Sequence, residues 1–156
     1  MNLARVIAAL GLAVVLCLGH ARPAGGFAVL DNQSQCLALA LYWEARAEGR
    51  GGMLAVASVV LNRVAHPEFP RTVCAVVKQG GERPPCQFSW WCDGKSDRPT
   101  EPRHWALAQR IADEALMRPP RDRTGGALFF HSIDVDTPWV RKRQRTGQIG
   151  RHVFYR

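Results

Sequence analysis

The chain has 156 residues, with 21 Lys and Arg against 13 Asp and Glu, and 47% of it is hydrophobic. That apolar fraction excludes a disordered chain, and no run of about eighteen apolar residues follows the N-terminus, which excludes a polytopic membrane protein. The length fits one domain with its own core, and the excess of arginine predicts an acidic partner: nucleic acid, anionic lipid or a carboxylate-rich polymer.

Residues 1–21 read as a secretory signal. Arg5 supplies the positive start, Val6–Leu18 the apolar stretch, and Gly19-His20-Ala21 the small residues of a cleavage site. A retained N-terminal anchor is the alternative, and Leu16 before Cys17 argues against a lipoprotein. Residues 22–34 are expected to form a flexible segment and 35–156 the working domain, exported to the periplasm or cell envelope, with no stable membrane insertion once the signal is gone.

Export changes how the cysteines are read. Cys36, Cys74, Cys86 and Cys92 remain after the signal, and four thiols in an oxidising compartment suggest two disulfides, with three pairings open. Cys86–Cys92 with Cys36–Cys74 is preferred because the first pair closes a short loop. The histidines lack ligand spacing, so no metal is expected. A catalytic Cys36 with His104 or His131 as base is the rival reading.

In chain order, Asp31, Asn32 and Ser34 are candidate caps for a helix from about Gln35 to Glu48, stopped by Gly49-Arg50-Gly51-Gly52. Met53–Val64 is apolar nearly all round and reads as a buried helix closed by Pro67 and Pro70. Thr72 caps a short helix over Val73–Gln79. Residues 82–100 are rich in loop formers and are expected to hold a small hairpin. Thr100 caps a helix to about Met117, with Trp105, Ala108, Ile111, Ala112 and Ala115 on one face. Ala127–Ser132 and His152–Tyr155 look like strands. The fold class is α+β, mostly helical, with a small β-hairpin region.

One carboxylate falls among apolar neighbours. At about 100° per residue, Leu37, Leu41, Glu44 and Glu48 share one stripe of the first helix, flanked by alanines, while Leu39, Tyr42 and Trp43 make the other faces apolar too. Desolvation there raises the pKa of Glu44, and Glu48 one turn on is expected to add like-charge repulsion. A carboxyl that keeps its proton near neutral pH suits a general acid. The alternative is a surface Glu44 paired with Arg46 or Arg50.

These residues carry a resemblance. Tyr42-Trp43-Glu44-Ala45-Arg46-Ala47-Glu48-Gly49 and Ala55–Val64, followed by Cys86-Gln87-Phe88-Ser89-Trp90, Ala127–His131, Pro138-Trp139 and Ile149–Tyr155, resemble the SleB-like cell wall hydrolases, the spore cortex-lytic enzymes and their relatives. The likeness spans about residues 35–156 and departs from the usual Gly-Glu at Ala47-Glu48. It implies a lysozyme-like or transglycosylase-like domain that cuts peptidoglycan glycan strands, with Glu44 as the acid. It implies no cofactor and no nucleic-acid partner, and a monomer is expected.

Glycosidases with two carboxylates hold them about 5–5.5 or about 6.5–9.5 Å apart. No second carboxylate stands out beside Glu44, although Glu48, Asp93, Asp134 and Asp136 are candidates. A lytic transglycosylase needs only one, because the 6-hydroxyl of the muramic acid is the nucleophile. A hydrolytic muramidase and a non-catalytic basic wall-binding module are the alternatives. Gln87 and Ser89 are expected to hydrogen-bond the sugars, Trp90, Trp139 and Tyr155 to stack on them, and His131 and His152 to position a carbonyl or orient Glu44.

Overall fold

The computed structural model describes residues 25–156, with side chains from residue 32 onward. The expected signal at 1–21 lies outside the described residues. Helix α1 (Gly25–Ala45) is followed by a 3-10 turn (Arg46–Glu48), α2 (Gly49–Ala65) and the short α3 (Val73–Val77). A second 3-10 turn (Ser89–Cys92) leads to α4 (Pro102–Met117). Then come β1 (Phe129–Ser132), a 3-10 turn (Pro138–Lys142), β2 (Arg145–Ile149) and β3 (His152–Tyr155). The α+β class expected from the sequence is the class observed.

Helix α1 is the central post. Leu37, Ala38, Ala40, Leu41, Tyr42 and Ala45 are all buried, packed against α2, α3 and α4. A helix apolar on nearly every face can be satisfied only by such enclosure. The helix starts at Gly25 rather than near Gln35. The candidate capping residues sit inside it, and Gln33 and Ser34 reach across to neighbours. Ser34 Oγ donates to Asp113 of α4, and Gln33 Oε1 accepts from the backbone N–H of Cys74 at 3.0 Å. With Thr72 Oγ1 accepting from Ala75 N at 3.3 Å, two of the free N–H groups at the start of α3 are satisfied.

Helix α2 starts four residues earlier than its apolar pattern suggests. Gly49 closes the 3-10 turn that leads from α1, with φ at +61°, a conformation costly for any residue with a Cβ. Gly51 and Gly52 then continue as helix. One side of α2 joins the helical core, while Ala55 and Val59 pack with Ala127 and Phe154 under the sheet. Asp122 organises the approach to β1, accepting from Thr124 N and Gly126 N, both at 2.7 Å, and from Asn62 Nδ2 at 3.1 Å.

The sheet is antiparallel in the order β1-β3-β2, so the C-terminal strand is central and buried along its length. Phe129 faces Tyr155 and Phe130 faces Phe154 across β1 and β3. Strand β2 was not expected, because Arg145-Thr146-Gly147-Gln148-Ile149 lacks alternating apolar residues; it is held as the edge partner of β3. The expected hairpin within 82–100 is corrected: that segment contains the single 3-10 turn Ser89–Cys92. Two disulfides staple the fold, Cys36–Cys74 from α1 to α3 and Cys86–Cys92 around that turn, which is the preferred pairing. Cys36 is therefore a staple, and the cysteine-nucleophile reading falls.

Candidate active site

Glu44 sits in the last turn of α1, where the helix backs onto α2 and the 86–92 loop. Tyr42 fixes that end of the helix. Its hydroxyl accepts from the backbone N–H groups of Thr100 and Glu101, both at 3.1 Å, which docks the start of α4 against α1. The Cys86–Cys92 loop is anchored by Gln87 N donating to Gln79 O at 2.9 Å.

These elements enclose a cleft of about 200 Å³ lined by Glu44, Arg63, Cys86, Gln87, Phe88, Ser89 and Phe130. Larger concavities of about 460 and 630 Å³ lie between α2 and α4, and between the end of α2 and β1. The first holds Glu114, ion-paired to Arg50, and the second holds Glu68 in the open loop after α2. Only the smallest of the three combines a desolvated carboxylate with converging polar side chains, which is the chemistry of an active site.

Desolvation pushes the Glu44 carboxyl from its ordinary 4.5 up to about 7, against the opposing pull of the Trp90 indole N–H and the Arg63 charge. Trp90 Nε1 nevertheless makes no hydrogen bond of normal geometry among the described residues, so its effect is that of a nearby dipole. Glu44 is not paired with its sequence neighbours. Arg46 binds Glu101 at 2.8 Å and Arg50 binds Glu114 at 2.6 Å, both on α4 or at its start.

Glu48 does not act as expected either. It accepts from Arg151 N at 3.1 Å, facing the β2–β3 turn, and is not among the groups that shift Glu44. The other candidate second carboxylates are also elsewhere. Asp93 sits beside Lys95, Asp134 pairs with Arg151, and Asp136 is exposed. Among the described residues, Glu44 is the only carboxylate lining the cleft.

Gln87 and Ser89 line the cleft. Trp90 is buried beside it, 6.3 Å from Phe88 and 6.2 Å from Trp91, so its ring is engaged by protein. His131, Trp139 and Tyr155 form a separate cluster on the face of the sheet that carries Phe129. Tyr155 is buried, its hydroxyl 3.0 Å from His131 Nε2 and its ring stacked on that imidazole at 5.5 Å. His152, also buried, packs at 5.1 Å on Phe130, and burial holds its pKa below the ordinary value. None of these four lines the cleft. His152 and Tyr155 are held by these packing contacts.

The residue that sequence reasoning passed over is Arg63. It is 1% exposed, with Nε donating to Leu128 O at 2.7 Å and its guanidinium carbon 5.4–5.7 Å from the rings of Phe69, Phe88 and Phe129. Desolvation drives its pKa down to about 10, opposed by the nearby Glu44. The sequence carried a signal for it: one cation interrupting the apolar stretch Met53–Val64.

Comparisons with known proteins place the chain in a family. The family model described as Cell Wall Hydrolase matches residues 47–155, which takes in Arg63, Gln87, Ser89 and the sheet and starts just past Glu44. The spore cortex-lytic enzyme of Halalkalibacterium halodurans is 34% identical over 125 residues, which is 80% of this chain and 34% of that protein. The spore cortex-lytic enzyme of Bacillus subtilis is 33% identical over 132 residues, 83% of this chain and 39% of that protein. The chain thus spans well under half the length of these curated relatives. Among solved structures, the catalytic domain of the Bacillus cereus SleB protein superposes with a TM-score of 0.64 at 34% identity, covering 81% of this chain and 91% of that one. The catalytic domain of the germination-specific lytic transglycosylase SleB from Bacillus anthracis gives 0.64 at 33% identity, covering 80% and 94%. The lysozyme-like class expected from the resemblance is the class of these domains.

Proposed function

Because this chain belongs to the cell wall hydrolase family, we propose that it cleaves peptidoglycan glycan strands between N-acetylmuramic acid and N-acetylglucosamine, as a lytic transglycosylase. The observation that carries the reading is Glu44, the one carboxylate of a cleft that also presents Gln87 and Ser89, poised near 7 by desolvation.

In this mechanism protonated Glu44 gives its proton to the glycosidic oxygen as the bond from the muramic acid anomeric carbon to that oxygen breaks. Positive charge develops on the sugar ring while Glu44 becomes a carboxylate. Glu44 then takes the proton of the muramic acid 6-hydroxyl as that oxygen bonds to the anomeric carbon. The products are a 1,6-anhydro end and a free 4-hydroxyl on N-acetylglucosamine, no water is consumed, and Glu44 ends protonated. A group titrating near neutrality is suited to both half-reactions, since neither proton transfer is steeply uphill.

Gln87 and Ser89 are the side chains assigned to hydrogen bonds with sugar hydroxyls or acetamido groups, and the half-buried Trp139 to a more distant sugar. The substrate lies outside the cytoplasmic membrane, so residues 1–21 act as an export signal. Two disulfides suit the oxidising compartment reached that way. The domain is proposed to work as a monomer.

The test is mass spectrometry of the products released from purified peptidoglycan. Muropeptides ending in 1,6-anhydromuramic acid are expected. Reducing-end muramic acid would make the enzyme a hydrolase and overturn the one-carboxylate mechanism.

A further inference from the structure

We infer that Arg63 is a positioning residue for Glu44: walled into the same cleft without touching the carboxylate, it is the fixed counter-charge that stabilises Glu44 once the proton has left. This rests on the reading of Glu44 as acid and base.

The burial of Arg63 needs an explanation. Enclosing a cation among Phe69, Phe88 and Phe129 is costly, and a leucine or methionine would fill such a space without that cost. One hydrogen bond, from Nε to Leu128 O, does not require a charge. Nη1 is buried and has no hydrogen-bond partner among the described residues. Most buried donors are satisfied, so an unsatisfied one on a buried cation calls for a reason beyond packing.

The surrounding charges leave Glu44 as the group that Arg63 serves. On the turn after α1, Arg46 pairs with Glu101 and Glu48 holds Arg151 N. On α2, Arg50 pairs with Glu114 of α4, while Asp113 accepts from Ser34 and His104 binds Glu101. Helix α3 contributes no charged side chain, and Lys78 just after it lies over Trp91. From the sheet side, His152 packs on Phe130, His131 bonds Tyr155, and Arg143 covers the Phe129 ring at 3.3 Å, adding only repulsion to Arg63.

The lack of contact is the useful feature. A direct ion pair would hold Glu44 ionised and unable to protonate the glycosidic oxygen. With no cation in the cleft, the carboxylate formed in the first half-reaction would have no compensation in an apolar surrounding. A guanidinium fixed at a distance by aromatic rings and a backbone carbonyl meets both needs.

The test compares wild type, Arg63→Gln, Arg63→Lys and Glu44→Gln in the pH dependence of kcat on purified peptidoglycan. Removing the positive charge makes Glu44 harder to ionise. The alkaline limb of Arg63→Gln should therefore move up by about one pH unit or more, with kcat falling about tenfold and KM changing little. Arg63→Lys should keep the limb near its wild-type position. A folded Arg63→Gln whose limb stays in place would overturn the inference and leave Arg63 a packing residue.

If Arg63→Gln fails to fold, the guanidinium ¹⁵N resonances of Arg63 in the unsubstituted enzyme decide. They should titrate with Glu44 and become independent of pH in Glu44→Gln, and a flat wild-type titration would overturn the inference. Turnover by Glu44→Gln would instead overthrow the assignment of Glu44 itself, which keeps the two failures apart.

Discussion

Glu48 Oε2 accepts the backbone N–H of Arg151 at 3.1 Å, and at that point Gly150 comes so near that a Cβ on it would stand 1.9 Å from the same oxygen. The contact ties the turn after α1 to the β2–β3 hairpin across the whole domain. Glu48, one helical turn beyond Glu44, is thus a strut that sets where the end of α1 meets the sheet. Gly150 also sits at φ +56°, so Gly150→Ala combines a disfavoured backbone conformation with displacement of Glu48. We expect a cost of about 2 kcal/mol or more, read as a fall in Tm of roughly 5–10 °C. An unchanged melt would mean that the hairpin is not held by this contact.

The raised pKa of Glu44 makes a stability prediction whose sign is fixed. The fold favours the protonated form, so the contribution of this group is fully present below about 4.5 and is lost as pH rises through about 7. Above that range the ionised carboxylate costs on the order of 2–3 kcal/mol, with some relief from solvent at the cleft mouth. Glu44→Gln replaces it with a neutral group of the same shape. The variant should match wild type near pH 4.5 and exceed it by on the order of 2 kcal/mol at pH 8 in denaturant unfolding. A stability difference that does not change with pH would contradict the desolvation of Glu44.

The two disulfides should separate stability from activity. Cys36–Cys74 spans 38 positions and Cys86–Cys92 spans 6. Chain entropy assigns them about 4 and about 2 kcal/mol respectively. Replacing the first pair by alanine should lower Tm more, with turnover of the folded fraction nearly intact. Replacing the second should lower Tm less but reduce turnover more, because Cys86 lines the cleft and the loop carries Gln87 and Ser89. Melting curves and turnover of both double variants check the crossover, and parallel losses would contradict it.

Gln87 presents its side chain to the cleft while its backbone is anchored at Gln79. Gln87→Ala is therefore expected to lose about one to two hydrogen bonds to the sugar, or about 5- to 30-fold in kcat/KM, with little change in Tm. Tyr155→Phe should show the reverse: about 1 kcal/mol less stability from the lost His131 contact and turnover within a few-fold of wild type. Steady-state kinetics beside thermal melts would expose an exchange of these two roles.

Glu44 was legible in the sequence because a helix with no polar face must be enclosed, and Leu37, Leu41 and Tyr42 show that enclosure at 0% exposure. Glu48 and Arg63 were not. Helical periodicity puts Glu48 in the Glu44 stripe only if the α-helix continues, whereas the backbone tightens to a 3-10 turn after Ala45 and aims Glu48 at the hairpin. Arg63 reads as a charge on an apolar helix, and Glu44, with which it shares the cleft, lies nineteen positions earlier on another helix, beyond the reach of local spacing. Strand β2 was hidden for a related reason: its pairing is imposed by β3, not by its own residues.

Whether Glu44 is the acid is read from the turnover of purified peptidoglycan by folded Glu44→Gln at the pH optimum of wild type. Removing the only proton donor and acceptor of a one-carboxylate mechanism should lower kcat by about a thousandfold or more, with substrate still bound. Turnover within tenfold of wild type by that variant would show that another group protonates the glycosidic oxygen.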